Sequence, residues 1–401
     1  MPPSRLARPR RIAAPSYASA GGSASAPVTG PGREDGVQLQ YSLGPNNQEG
    51  AALGNPLFEL LSAVVEGGSI RQAAELLGTS YRYVWDAVRR WERQLGEPLV
   101  AWSQGRRARP TQFAHKLLWA ERSVRIRMQP HIEALRTDLS RVLAYARDGR
   151  QHLLTMRASH DLALPLLQRH LAATADLHLD LGFCGSVEAL RALNDRQCLI
   201  AGFHVPVMSG NGTVFARTLK PLLRPRAQTL IACARRTQGL MVRKEHAHAV
   251  RALADVVRQG LRFVNRQAGS GTRMLVDQLM AEHDITPCTL PGYHEHVEHT
   301  HVAVGLCVAG GMGDAGVGIA AAARQFGLHF VPLVEENYYI ACLDENLHNP
   351  AVHNLRSVLA GPQWRRILAG LPGYDSAAAP GELLIVGEAL PWWRRRSGRK
   401  S

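Results

Sequence analysis

The sequence lacks the long apolar runs and paired cysteines of membrane and secreted proteins. No stretch approaches the ~20 consecutive apolar residues that span a bilayer, so we expect no membrane partner. The six cysteines are scattered without a CxxC pair, which favours reduced thiols in the cytosol. No acidic residue precedes Glu34, and no apolar signal segment stands near the start. Together these features predict a cytoplasmic protein.

Catalytic and nucleotide-binding patterns are missing as well. There is no GxSxG elbow and no HExxH motif, and the glycine-rich turns match neither a Walker A loop nor a dinucleotide fingerprint. Ser159, Ser186 and His204 have residue types found in catalytic triads, but no motif activates a serine there. We interpret them as donors to a ligand, and we expect neither enzyme activity nor a cofactor.

Positive charge is what the chain has in excess. Its 47 Lys and Arg against 33 Asp and Glu give a net charge of +14, which favours a polyanionic partner without separating nucleic acid from an anionic membrane or mere solubility. Composition and hydrophobic pattern divide the chain into a disordered basic tail (1–52), a helical domain (53–112), a long helix (113–149), a domain of alternating strands and helices (150–390) and a basic tail (391–401).

The helical domain contains three predicted helices between residues 57 and 95. Ser69 is placed to cap the second helix, and Gln72 completes a capping box. Gly78 opens a tight turn before the third helix. Two helices joined by a short turn with Gly are the helix-turn-helix arrangement, whose second helix enters the major groove of DNA. The alternative is a helical hairpin with a solvated basic turn.

A two-stranded wing with a basic tip is predicted after the third helix. Such a tip suits backbone phosphates or the minor groove. At the start of the third helix, Arg82 can reach guanine, and Ser80 or Tyr81 can reach a phosphate. The predicted DNA-contacting residues are Ser80, Tyr81, Arg82, Tyr83, Arg89, Arg106, Arg107 and Arg109.

These segments resemble known bacterial regulators. The sequence SYRYVWD at 80–86 resembles the N-terminal domain of the molybdate-responsive ModE family. Gly105-Arg106 and Pro110-Thr111 are similar to the wing and the linker-helix start of LysR-type regulators. The resemblance implies a winged helix-turn-helix that binds double-stranded DNA.

Residues 111–147 carry a long helical pattern with an apolar seam of period near 3.5 to 3.6 and one proline, Pro130. A helix in this place is suited to dimerisation, as in the linker helix of LysR-type proteins. The alternative is that it packs on its own C-terminal domain. A homodimer would bind a roughly palindromic operator with half-sites ~34 Å, or a multiple of that distance, apart.

From His152 onward, strand candidates alternate with helix candidates, which is the pattern of a parallel sheet covered by helices on both faces. Ligands bind such sheets at the carboxyl ends of the strands, where helix N-termini point their amides into the crevice. The turn GSGT at 269–272 follows a predicted strand and opens a helix, so it suits an anion. Arg266 and Arg273 either add charge-assisted bonds or lock this turn. Alternatively, the turn only caps the helix.

This region resembles the periplasmic-binding-protein-like domain found behind ModE-like heads. Matching pieces include LIAGFH at 199–204, FVNR at 263–266 and DAGVGI at 314–319. The resemblance implies two α/β lobes that close on a small ligand, as in molybdate- and tungstate-binding transport proteins. The expected fold is therefore an all-α winged helix domain followed by a two-lobed α/β domain.

The expected function is a transcriptional regulator that senses a small anion, either a molybdate- or tungstate-like oxyanion or a small carboxylate such as formate. Two alternatives stay open: a second domain that only serves assembly, and a larger ligand such as a molybdenum-cofactor-like molecule. The predicted ligand-binding residues are Ser159, Ser186, His204, Arg266, Gly269, Ser270, Gly271, Thr272, Arg273, Thr300 and His301.

Residues 294–301 hold four His and two Glu, the residue types of a zinc or nickel site. Their alternating spacing after Pro and Gly is more typical of a solvated strand edge or loop. Thr300 and His301 are shared with the family segment, and we place them at the ligand cleft beside a helix start. We therefore predict no metal site.

Overall fold

The structure is a computed structural model that describes residues 55–101, 109–146, 152–174, 177–207 and 210–393. The predicted N-terminal tail, the wing tip with Arg106 and Arg107, and the basic residues after Trp393 lie outside the described residues. Within the described ranges, no helix combines the length and the apolar character needed to cross a membrane.

Helices and strands alternate from His152 onward, as predicted, but the sheet is mixed and not parallel throughout. The helices are α1 (Pro56–Gly67), α2 (Ile70–Leu76), α3 (Tyr81–Leu95), α4 (Gln112–Ala146), α5 (Ala163–Thr174), α6 (Ser186–Asn194), α7 (Val214–Leu219), α8 (Leu253–Arg258), α9 (Gly271–Glu282), α10 (His301–Ala309), α11 (Ala320–Gln325), α12 (Pro350–Ala360), α13 (Pro362–Ala369) and α14 (Val386–Ala389). The strands are β1 (Val100–Ala101), β2 (Arg109–Pro110), β3 (His152–Ser159), β4 (Leu177–Cys184), β5 (Ile200–Pro206), β6 (Gln228–Val242), β7 (Phe263–Arg266), β8 (Val297–Glu298), β9 (Ala315–Ile319), β10 (His329–Leu343), β11 (Tyr374–Ser376) and β12 (Leu383–Ile385).

Helices α1 to α3 and the strand pair β1–β2 form the winged helix-turn-helix. Its core includes Leu61, Val64 and Val88, whose side chains are fully buried. Ser69 caps α2 by accepting from the Gln72 amide, as predicted. Strands β1 and β2 pair antiparallel at the base of the wing. Local capping and apolar spacing therefore suffice to specify this domain.

One large sheet organises the second domain, in the order β4-β3-β5-β10-β6-β9-β7-β8, with β11 and β12 also paired to β6. Strands β3, β4 and β5 run parallel in the first lobe, and β7, β8 and β9 run parallel in the second. The long strands β6 and β10 pair antiparallel across both lobes. Large side chains such as Phe203 and Trp364 fill separate cores. Helices thus cover both faces of a two-lobed α/β domain.

Helix α4 runs without interruption through Pro130 and packs on the second domain of its own chain. The Trp119 ring lies against Gly310, where a Cβ atom would overlap it. The Arg127 guanidinium donates to Glu298 at 2.8 Å. The first half of this helix therefore packs on its own C-terminal domain, which was the alternative to dimerisation. Other apolar side chains on α4, namely Val124, Leu135 and Leu139, are exposed.

Candidate functional site

The exposed start of α3 brings four of the predicted DNA-contacting residues together. Tyr81 and Tyr83 are 52% and 57% exposed, so both rings are accessible to a partner. The Arg82 side chain is 92% exposed and lies 3.8 Å from Asp86. Ser80 caps the helix by accepting from the Tyr83 amide, so this bond already uses its hydroxyl oxygen.

Arg89 and Arg109 stand apart from this group. The Arg89 guanidinium lies 3.1 Å from Glu92 and over the ring of Trp85. Glu92 also accepts from the Leu99 amide, which ties α3 to the wing. Arg109 is exposed on β2, and Arg106 and Arg107 lie outside the described residues.

In the second domain, predicted ligand residues from distant segments meet where strands end and helices begin. Ser159 is the last residue of β3, and Ser186 is the first of α6. Helix α9 approaches them from the other lobe, because a Cβ atom on Gly185 would lie 2.8 Å from the Gly269 carbonyl oxygen. A Cβ atom on Gly271 would lie 3.6 Å from the Ser186 hydroxyl. The N-termini of α6 and α9 therefore face each other.

Arg266, at the end of β7, is the most unusual group in this cleft. Its side chain is buried, with the whole residue only 3% exposed. Its Nε donates to Gln267 and its Nη2 to the His299 carbonyl, but its Nη1 has no hydrogen-bond partner among the described residues. Burial and the nearby Arg236 lower the pKa of Arg266 to about 9. The guanidinium is thus still charged at neutral pH.

Two other predicted residues also have polar atoms without partners. Ser186 is fully buried, and its hydroxyl has no hydrogen-bond partner in the part of the chain that the structure describes. The same is true of Nδ1 of His301, at the start of α10. Burial, followed by the charge of Arg266, lowers the pKa of His301 well below its usual value. Buried polar groups are usually hydrogen-bonded, so these atoms call for partners that the described residues do not supply.

Other predicted ligand-binding residues use their polar groups in hydrogen bonds within the protein. The Ser270 hydroxyl caps α9 by accepting from the Arg273 amide, and Thr300 caps α10 in the same way. The Arg273 guanidinium contacts Asp277 and Tyr293. Of the two roles predicted for Arg273, the geometry matches the one that locks the turn.

Sequence reasoning missed a buried polar network beside the cleft. Arg236 on β6 donates to Asp161 at 2.7 Å and to Glu336 on β10. Gln238 donates to the second oxygen of Glu336, and the Tyr374 hydroxyl donates to Asp161. These residues come from segments far apart in the chain, so no local motif could have identified them.

His204 joins this network to Ser159. One ring nitrogen, Nε2, lies 3.1 Å from Asp161, and the other, Nδ1, lies 2.9 Å from the Ser159 hydroxyl. The prediction that His204 donates to a ligand is therefore not supported, because both of its nitrogens are engaged inside the protein. Burial and Arg236 lower the pKa of His204, so its ring is neutral.

The histidine-rich segment, residues 294–301, lies beside α4. No group of three His, Cys, Asp or Glu side chains in the described ranges is arranged to hold a metal ion. A cavity of about 390 Å³ separates part of α4 from this segment, and its lining includes Arg127, His131 and His299.

Two family models match the chain. Residues 56–115 match the model described as a bacterial regulatory helix-turn-helix protein of the LysR family. Residues 168–360 match the model of the PBP superfamily domain. These matches confirm both parts of the expected fold. The finer resemblance to ModE stays a prediction.

The chain is also similar to individual proteins. The uncharacterized protein YvgK of Bacillus subtilis (strain 168) is 28% identical over 229 residues, which are 57% of this chain and 72% of YvgK. An H2O2-bound mutant of Corynebacterium glutamicum OxyR is 16% identical, with a TM-score of 0.40 over 78% of this chain and 94% of OxyR. Full-length BenM is 17% identical, with a TM-score of 0.39 over 79% of this chain and 98% of BenM. At such scores the likeness carries no conclusion about ligands.

Proposed function

We propose that this chain senses a compact anion. It carries a LysR-family helix-turn-helix and a PBP superfamily domain, and it is a DNA-binding transcriptional regulator, not an enzyme. The anion binds between the lobes, at the N-termini of α6, α9 and α10. Binding changes the affinity of the α3 surface for a cytoplasmic DNA operator. The candidate effectors are oxyanions and small carboxylates, of which molybdate, tungstate and formate are the simplest members.

The unpaired guanidinium of Arg266 carries this proposal. A buried charge is costly unless an opposite charge or several hydrogen bonds compensate it. Glu336 and Glu298 are the carboxylates whose charges act on Arg266, but they already bind Arg236 and Arg127. An anion at Nη1 of Arg266 would supply the missing counter-charge, and helix N-termini favour negative charge at the same place.

The DNA face comprises the predicted set Ser80, Tyr81, Arg82, Tyr83, Arg89, Arg106, Arg107 and Arg109. We propose that two copies bind a palindromic operator as a homodimer. Val124, Leu135 and Leu139 are spaced by 11 and 4 residues, so they lie along one stripe of α4. A second copy of this helix would cover these exposed side chains.

Glu298 is suited to connect the cleft with the linker helix. It pairs with Arg266 in the register of β7 and β8, and its carboxylate accepts from Arg127 of α4 at 2.8 Å. Arg266 also holds the next residue, His299, through its carbonyl. A ligand that moves Arg266 would therefore move the segment to which α4 is attached. The proposed coupling requires that the ligand binds the two arrangements with different affinities.

Arg266→Gln is expected to abolish anion binding while the protein stays folded, because the substitution removes a charge that forms no ion pair among the described residues and whose Nη1 is unbonded there. The measurement is thermal unfolding with molybdate, tungstate, sulfate, phosphate, formate and other small carboxylates. An anion at ~100 times its dissociation constant should stabilise the wild-type protein by roughly 2.7 kcal/mol.

Arg273→Gln is the matched control, since this neighbouring guanidinium contacts Asp277 and Tyr293. It is expected to lower stability but to keep the anion-induced shift. A full shift in Arg266→Gln, or no shift with any anion in the wild-type protein, would contradict the proposed function.

Arg127→Ala is expected to leave anion binding intact but to disconnect it from DNA binding. Coupling between two sites typically changes affinity by about 5–150-fold, and this variant should bring that change to about twofold or less. The measurement is operator affinity with and without the anion. Arg125→Ala is the control, because Arg125 pairs with Glu121 on the same helix. Normal coupling in Arg127→Ala would rule out this route.

A further inference from the structure

We propose that the cleft selects an anion that also carries an O–H or N–H donor, and that it discriminates against bare oxyanions such as molybdate, tungstate and sulfate. This inference rests on the proposed function and narrows its class of ligand. It comes from fixed hydrogen-bond acceptors beside the unpaired donors of the cleft.

The first step is the state of Asp161. Its carboxylate accepts from Arg236, Tyr374 and the Ala163 amide. Although burial alone would raise its pKa, Arg236 and His204 hold the pKa of Asp161 well below its usual range. Asp161 is therefore ionised, and an ionised carboxylate only accepts hydrogen bonds.

The second step is the tautomer of His204. Since Asp161 only accepts, Nε2 of His204 must carry the proton and donate it. The ring is neutral, so Nδ1 is an acceptor. The Ser159 hydroxyl, 2.9 Å away, must then donate to Nδ1. The proton of Ser159 points into the protein, and its oxygen lone pairs stay available to the cleft.

Ser159 lies where a ligand can use those lone pairs. It is the last residue of β3, and it pairs in register with Cys184, two residues before the unpaired Ser186 hydroxyl. The sequence predicted Ser159 as a donor; the network that orients His204 makes it an acceptor instead.

A second acceptor is fixed in the same way. The Gln238 side chain is buried and donates through Nε2 to Glu336, so its oxygen Oε1 faces away from that carboxylate. Oε1 has no hydrogen-bond partner among the residues described. Gln238 pairs with Ile319 at the carboxyl end of β9, the same edge of the sheet at which Arg266 ends β7.

The cleft thus presents donors, at Arg266 and Ser186, and acceptors, at Ser159 and Gln238. A bare oxyanion carries only acceptor oxygens. It would accept from Arg266, but its oxygens would face the side-chain oxygens of Ser159 and Gln238 with no hydrogen between them. A site built to bond a ligand hydroxyl or amine rejects the analogue that lacks it, because buried polar groups are left unpaired. Hydroxy- and amino-carboxylates and partly protonated phosphate groups fit this pattern.

The test compares two matched pairs of probes by isothermal titration calorimetry at neutral pH. Phosphate keeps an O–H that sulfate of similar size lacks, and glycolate adds a hydroxyl to acetate. The wild-type protein should prefer phosphate to sulfate and glycolate to acetate by about tenfold or more. Equal affinities within both pairs would overturn the selectivity and leave the anion site itself standing. If none of the four anions binds, this inference fails, whereas the proposed function fails only if no anion of the thermal-unfolding panel shifts the wild-type protein.

Ser159→Ala separates an acceptor from a donor. If Ser159 accepts, this variant should lose about tenfold in phosphate affinity with sulfate affinity unchanged. A comparable loss for sulfate would show that Ser159 donates and would overturn the inference. Ser357→Ala, an exposed serine on α12 whose hydroxyl donates to the His353 carbonyl, is the control and should change neither affinity.

Discussion

Asp161→Ala is expected to lower the free energy of unfolding by about 3–5 kcal/mol, the usual cost of removing one partner of a buried ion pair. Arg236 would be left 4% exposed with Glu336 as its remaining counter-charge. His204 and Tyr374 would also lose their partner. Urea denaturation of the full chain measures this change.

The matched control is Glu345→Ala, which breaks an ion pair with Arg196 whose side chains are 71% and 56% exposed. Exposed pairs contribute about 0–1 kcal/mol, so the control should change stability little. A loss at Asp161 no larger than the control would contradict the structural role of the network. Because the pKa of Asp161 is lowered in the folded state, its contribution is present at neutral pH and is lost as the pH falls below the ordinary aspartate range.

Arg82→Ala is expected to weaken operator binding by about 1–3 kcal/mol and to relax the base preference at one position. Its guanidinium is almost fully exposed on the first turn of α3, the part of a recognition helix that reaches base edges. The measurement is binding to random DNA pools, followed by titration of the selected operator.

Arg71→Ala is the matched control for Arg82. Arg71 is also exposed and lies near an acidic residue four positions on, Glu75, but it stands on α2. Its loss should leave the base preference unchanged, and any weakening should be similar across sequences. Unchanged affinity and preference in Arg82→Ala would show that α3 is not the reading helix.

The sequence allowed the helix-turn-helix to be predicted because its determinants are local. The Ser69 cap, the glycine turn at Gly78 and the apolar spacing in α3 lie within one short stretch. The GSGT turn was predicted for the same reason, since a strand, a glycine turn and a helix follow each other directly. Arg266 was identified because it stands next to that turn.

The packing of α4 could not be read from the chain. Its apolar pattern fits either a partner copy or the second domain, because both surfaces accept the same side chains. Only the contacts of Trp119 and Arg127 with distant residues decide that the first half packs on its own chain.

By itself, the sequence determined the two domains, their order and the group of residues at the cleft, because capping, turn chemistry and periodicity act between near neighbours. The tertiary structure decided which of those residues are free to bind. Asp161, Arg236 and Glu336 come from three separate strands or loops and meet only when the sheet is assembled. Their charges fix the proton on His204 and thereby turn Ser159 into an acceptor, whereas Arg266 forms no ion pair among the described residues and its Nη1 is unbonded there. Donor and acceptor roles in a buried site depend on neighbours brought together by the fold.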